Sequence, residues 1–161
     1  MSRLLVVHHS PTATVRALTD AAVAGARDDV IEGVEVGVKQ ALEATADDVL
    51  AADGYVLGTP ANFGYMSGAL KHFFDSLFLE VGGSLTDDGS AAGSSGGRKP
   101  FGLFVHGRYD ATGAVRSVES IVGALPWKRA ADTLVVLGDV GDDDLAAAYE
   151  LGGTLAALLD A

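Results

Sequence analysis

"RLLVVHHSPTATVRAL", residues 3 to 18, joins two patterns of different period. Leu4 to Val7 form a continuous apolar run, as in a parallel strand covered on both faces, and Val15, Leu18, Ala22 and Val23 then recur at helical spacing. The turn between them is therefore a strand-to-helix connection. It places Ser10, Thr12 and Thr14 at alternate positions, and the only cationic side chain between His8 and Leu18 is Arg16.

The same alternation continues outward. "VEVGV" at 34–38 alternates with period two, the pattern of a half-exposed strand at a sheet edge. "DGYVLGTP" at 53–60 reads as a buried strand stopped by its proline, and Leu70, Phe73, Phe74, Leu77 and Phe78 follow as one helical face. "KPFGLFVHG" at 99–107 is a fourth strand, Val115, Val118, Val122 and Leu125 mark a helix, "TLVVLGD" at 133–139 is a fifth strand, and 143–159 close the chain as a helix. Strand and helix alternate five times, so right-handed crossovers dictate an α/β three-layer sandwich. With strand 2 at an edge, the parallel five-stranded sheet takes the order 2-1-3-4-5, helices on both faces. Residues 1–161 are expected to form a single domain. "GGSLTDDGSAAGSSGGR" at 82–98 is too rich in Gly and Ser to order itself and is expected to be a mobile surface loop rather than a lid or an oligomer contact.

The chain has 161 residues, 48% of them hydrophobic, enough for one core without staples. Its 22 acidic against 11 basic residues give a formal charge of −11, which argues against nucleic acid and anionic lipid. That charge serves solubility, or suits docking onto a basic protein. No apolar stretch reaches the length of a membrane span, and the first residues lack a secretory h-region, so a cytoplasmic location is expected. With no cysteine, redox chemistry must come from a bound organic cofactor.

Ligands of doubly wound sheets bind beyond the carboxyl ends of the strands where strand order reverses, here between strands 1 and 3. Three loops converge there. In "HHSPTATV", a helix N-terminus and its hydroxyls offer a phosphate site that needs no lysine, the alternative being ordinary capping by one hydroxyl. "GTPANFGYM" brings Phe63, Tyr65 and Met66 beside backbone exposed at Gly64, a surface for a flat ring system or a simple cover for the sheet end. In "HGRYDAT", Tyr109 stands ready to cover the ring's other side, with His106, Gly107 and Arg108 nearby, although an exposed tyrosine is also ordinary surface.

These residues carry a resemblance. "SPTATV" is similar to the phosphate loop of flavodoxins, and "GTPANFGYMSGALKHFFDSL" resembles the strand-3 segment of the NAD(P)H-dependent FMN reductases and flavodoxin-like quinone reductases. The resemblance rests on Pro60, Asn62, Phe63, Gly64, Met66, Ser67, Gly68, Leu70, Lys71 and Asp75. It implies a flavodoxin-like fold with His9, Ser10, Thr12, Ala13, Thr14 and Val15 around the phosphate of FMN. By the same resemblance, Pro60, Ala61, Asn62, Phe63 and Gly64 lie along the isoalloxazine, and His106, Gly107, Arg108, Tyr109 and Asp110 along its other flank. Two departures stand out: many flavodoxins place Gly-Asn before the last hydroxyl of the phosphate loop, where this chain has Ala13, Thr14 and Val15, and the Gly-Gly pair of the quinone reductases is Gly107-Arg108 here.

Other signals weigh less. His8 and His9 point to opposite faces of a strand and cannot chelate one metal together, and no metal site is expected. His9 and His106 are more readily structural than ligating. "GDVGDDDL" at 138–145 lacks the spacing of a calcium loop and reads as acidic capping of the last helix, while Lys71 and Asp75 form a surface pair at i, i+4. The acidic pair, aspartate and lysine of a phospho-receiver are missing from the strand ends, and neither GxxxxGK[ST] nor GxSxG occurs. The expectation is an FMN oxidoreductase, taking electrons from NAD(P)H to a quinone or other small acceptor. No side chain is required as general acid or base, and a homo-oligomer is possible. A one-electron carrier docking a basic redox protein is the rival, and a flavin-free scaffold of the same fold is the third reading.

Overall fold

A computed structural model describes residues 1–77, 80 and 98–160. Phe78 and residues 82–97 of the Gly/Ser-rich stretch lie outside the described residues; Arg98, at its end, is exposed. The elements run β1 (Ser2–His8), α1 (Ala13–Ala26), β2 (Val34–Gln40), α2 (Ala46–Ala51), β3 (Gly54–Asn62), β4 (Tyr65–Met66), α3 (Gly68–Leu77), β5 (Lys99–Gly107), α4 (Thr112–Val122), β6 (Trp127–Arg129), β7 (Leu134–Leu137) and α5 (Asp142–Asp160).

The strands form a parallel sheet in the order β2-β1-β3-β5, with the last place shared by β6 and β7. β6 pairs with Lys99–Phe101 of β5 and β7 with Phe104–Gly107; β7 is the fifth strand expected at 133–139, and β6 is a further short strand, not expected from the sequence, that precedes it beside β5. Among the described residues β4 is the one antiparallel strand, and it folds back on the end of β3. The flavodoxin-like order 2-1-3-4-5 is thereby present, with β2 at an edge and half-exposed along its length, as its alternation requires.

The apolar run of β1 is continuous because it serves two cores. Leu5 and Val7 face a cluster with Tyr55, Leu57, Leu70, Phe73, Phe74, Leu103, Val118 and Trp127, whereas Leu4 and Val6 face Val15, Leu18, Val56, Phe104, Leu151 and Leu155. The first core is built on α3 and α4, the second on α1 and α5. α1 and α5 cross closely enough that a Cβ on Gly25 would overlap the Tyr149 carbonyl, and one on Gly152 the Ala22 carbonyl. α5 opens with Asp142, Asp143 and Asp144; Asp144 accepts from the Gly141 N–H at 2.9 Å, so the acidic run caps the helix. Lys71 and Asp75 pair at 2.6 Å. Among the described residues no helix is long and apolar enough to cross a membrane.

One boundary differs from expectation. β3 does not stop at Pro60 but runs through it to Asn62. Gly58 gives its carbonyl to His9 N–H at 3.0 Å, and β1 ends there; two residues on, Pro60 has its main-chain groups on the same side of β3, past the end of β1. A missing N–H at that position costs no ladder hydrogen bond.

Candidate functional site

The carboxyl ends of β1, β3 and β5 bring the three loops to one edge of the sheet. Thr12 is the N-cap of α1, with extended backbone, and its Oγ1 accepts from Val15 N–H at 3.3 Å. That bond uses a lone pair and leaves the hydroxyl proton of Thr12 for another acceptor. The N–H groups of Ala13 and Thr14 make no hydrogen bond among the described residues, as expected for the first turn of a helix. Thr12 and Ala13 are exposed, and Ser10 and Thr14 half-buried. Hydroxyls, free N–H groups and the positive end of the helix dipole make a donor set that fits a doubly charged anion. Val15 is packed with Leu18 in the core, so at this position only the main chain borders the loop. His9 is half-buried and held to Gly58 by its N–H.

Behind the loop lies a polar chain. His8, 4% exposed, has its Nδ1 2.8 Å from Ser10 Oγ, and the same oxygen is 2.8 Å from Thr19 Oγ1 of α1. Burial, above all, holds the His8 imidazole below its ordinary pKa of 6.5; the nearby Arg16 and His9 push in the same direction and Asp20 against it.

The second loop is a two-residue hairpin rather than an irregular segment. Asn62 pairs with Tyr65, and the two residues between them both have positive φ, 52° at Phe63 and 75° at Gly64. This is the backbone of a hairpin turn whose twist matches the strands, with a phenylalanine where Asn, Asp or Gly is usual. The Phe63 side chain is fully exposed and Tyr65 is 45% exposed, whereas Met66 is turned into the core. Pro60 is buried, Ala61 half-buried and Asn62 exposed. The hairpin is pinned at its base: Thr59 Oγ1 donates to the Pro60 carbonyl at 2.8 Å and accepts from Ser67 N–H at 3.0 Å, and Ser67 Oγ accepts from Leu70 N–H to start α3. Its tip is seated on α4, where Gly113 leaves room for the Gly64 carbonyl.

The third loop leaves β5 at Gly107. Tyr109 is 91% exposed, and Arg108 reaches Asp139 across 3.4 Å in solvent. Asp110 accepts from the hydroxyl and the N–H of Thr112 at 2.7 and 2.9 Å; these bonds, the hydroxyl's foremost, hold its carboxyl below the usual range and tie the loop to the first residue of α4. His106 is buried, its Nε2 2.7 Å from the Gly138 carbonyl, which ties the end of β5 to the turn after β7.

The structure therefore collects the hydroxyl and N–H donors of the first loop, the exposed Phe63 and the exposed Tyr109 and Arg108 at one edge, and gives His106 and Asp110 structural hydrogen bonds at the same place. In the sequence His8 is weighed only as a metal ligand and Ser67 only as part of the strand-3 resemblance, while Thr19, Thr59 and Gly113 carry no assigned role. Ser67, three residues before Leu70, carried a capping signal; Thr19 and Gly113 act across long sequence distances and carried none.

A profile of the family described as NADPH-dependent FMN reductase matches residues 9–137. The chain is 36% identical over 97 residues to a flavodoxin of Aquifex aeolicus, covering 60% of this chain and 51% of that protein. It is 31% identical over 116 residues to an NAD(P)H dehydrogenase (quinone) of Acidithiobacillus ferrooxidans, covering 60% of this chain and 54% of that one. The chain thus spans about half the length of the curated relatives it matches. Among solved structures, a flavodoxin from the domain Archaea superposes with a TM-score of 0.78 at 17% identity, covering 99% of both chains. A flavodoxin, WrbA-like protein from Agrobacterium tumefaciens superposes with a TM-score of 0.69 at 19% identity, covering 99% of this chain and 98% of that one. Those likenesses are of fold. With 9–137 matched, from the phosphate-type loop through the hairpin to the end of β7, the chain belongs to the NADPH-dependent FMN reductase family.

Proposed function

We propose that this chain binds FMN across the three loops and acts as an NAD(P)H-dependent reductase delivering electrons to a quinone or another small acceptor. The observation that carries the reading is the pairing, at one sheet edge, of a lysine-free anion site on α1 with a strained, fully exposed aromatic at Phe63. Strain at a bulky residue of positive φ persists only where the surroundings over-determine it, and such residues cluster at ligand clamps.

Ser10, Thr12 and Thr14 with the N–H groups of Ala13 and Thr14 would hold the phosphate. His9 and Val15 would border it through the main chain. Pro60 to Gly64 would lie along the ring, with main-chain groups of the hairpin reaching its edge, and Tyr109 would cover the other flank. FMN, when bound, supplies the redox chemistry that these side chains lack. The chain's part is to fix the ring's position, to exclude water from one face with Phe63, and to leave an edge open near Arg108 for donor and acceptor. His106 and Asp110 act by holding the third loop in shape, and no side chain of the site is assigned a proton-transfer step.

A second reading is favoured by the carboxylates at the rim, Asp110, Asp139 and the Asp142–Asp144 run, beside a chain of net charge −11. They suit a one-electron carrier that docks a basic protein. Rapid mixing of the FMN-loaded chain with NADPH separates the two. Loss of flavin absorbance within a single turnover supports the reductase. An oxidised spectrum that persists until a separate reductase is added supports the carrier and overturns the first reading.

A further inference from the structure

The buried polar chain behind the first loop is not explained by anion binding alone. His8 and Thr19 are 4% and 2% exposed, and a polar side chain so buried is costly unless its hydrogen bonds are made. Both meet one oxygen, Ser10 Oγ, at 2.8 Å each. A serine hydroxyl has a single proton and two lone pairs. With a bare Nδ1 on His8, the Ser10 proton is drawn inward to the ring and the serine has nothing to donate to a ligand. With the proton on Nδ1, both inner neighbours can donate to Ser10 and its own proton is free to turn outward.

We propose that His8 is a positioning residue of the phosphate site: as the Nδ1–H tautomer it donates to Ser10 Oγ, and so directs the Ser10 hydroxyl proton at a phosphate monoester seated on the N-terminus of α1. This rests on the reading that the loop holds the phosphate of FMN. Burial, Arg16 and His9 against the opposing Asp20 keep the imidazole neutral, so its one proton must choose between the two nitrogens, and the ligand makes that choice. Thr19 supplies the second inward donor, which fixes Ser10 from two sides.

The direct test is long-range proton–nitrogen NMR on the histidine-labelled chain, which has four histidines. On saturation with FMN, His8 is expected to appear as the Nδ1–H tautomer; an Nε2–H tautomer in that complex overturns the proposal. Affinity variants test it independently of spectra. His8→Phe removes the donor that turns the Ser10 proton outward and leaves that hydroxyl free to rotate, so the preference for FMN over riboflavin is expected to fall by at least about threefold and at most about tenfold, the worth of one charge-assisted hydrogen bond, with riboflavin affinity unchanged. His8→Asn restores a donor near Nδ1 and is expected to keep the wild-type preference within about threefold. A His8→Phe chain with undiminished preference contradicts the role of His8 and leaves the FMN reading standing. A wild-type chain with no preference for FMN over riboflavin removes the FMN reading and this proposal together.

Discussion

The carbonyl of Gly64 occupies the space in which a Cβ of Gly113 would stand, so the tip of the β3–β4 hairpin rests directly on the first turn of α4. The hairpin is thus positioned by main chain against main chain, with no side chain to yield. Gly113→Ala forces the two apart, which is expected to cost about 1–3 kcal/mol of stability. It moves the hairpin and leaves the α1 donors untouched, so FMN and riboflavin affinities are expected to fall by the same factor. Urea midpoints and parallel flavin titrations check both outcomes.

Phe63 separates folding from binding. Its φ of 52° is a conformation that Asn adopts more readily than Phe. Phe63→Asn is therefore expected to raise the stability of the cofactor-free chain by about 1 kcal/mol. It removes an aromatic face from the ring site, and flavin binding is expected to weaken by about 0.5–1.5 kcal/mol. Opposite signs in the melting temperature and the flavin affinity are the signature to be measured.

The His8 imidazole gives a pH dependence of defined sign. Its folded-state pKa lies below the 6.5 of an unfolded chain, chiefly through burial. Between those two values the unfolded chain binds more protons, so stability contributed by neutral His8 is present above 6.5 and is lost as the pH falls through the folded-state value. The difference in urea midpoint between the wild type and His8→Asn is expected to shrink on going from about pH 7.5 to about pH 5.5. A difference that stays constant over that range would show that His8 is not the titrating group.

Tyr55 provides a variant that should change stability alone. Its hydroxyl donates to the Val49 carbonyl at 2.7 Å, and its ring is stacked on Trp127 with centroids 4.0 Å apart. Tyr55→Phe keeps the stack and removes one of the two hydrogen bonds to the Val49 carbonyl, which still accepts from Ala52 N–H at 3.2 Å, a loss of about 0.5–1.5 kcal/mol. Flavin affinity is expected to stay at the wild-type value. Trp127, the single tryptophan, reports the unfolding transition by fluorescence.

The parts of the fold that were legible in the sequence are those in which burial imposes a period. Val15 and Leu18 on α1, Leu70 to Leu77 on α3, and the alternation of β2 all follow from one face or two faces being covered. The misread boundary at Pro60 came from a rule blind to direction: proline ends a strand only where its missing N–H faces a neighbour, and β1 has already ended there. β6 and β4, three and two residues long, are too short for any period to register. At the site, the hydroxyls of the first loop were visible as composition. The positive φ of Phe63 was hidden by a residue type that rarely takes it, and the seat at Gly113 and the Ser10–Thr19 contact arise only when distant segments meet.

Whether α1 and its hydroxyls hold a dianionic phosphate without a lysine is decided by a parallel titration of the wild-type chain with FMN and riboflavin. FMN is expected to bind at least about tenfold more tightly, with the advantage shrinking as salt is raised. Equal affinities for the two flavins at low salt would contradict it.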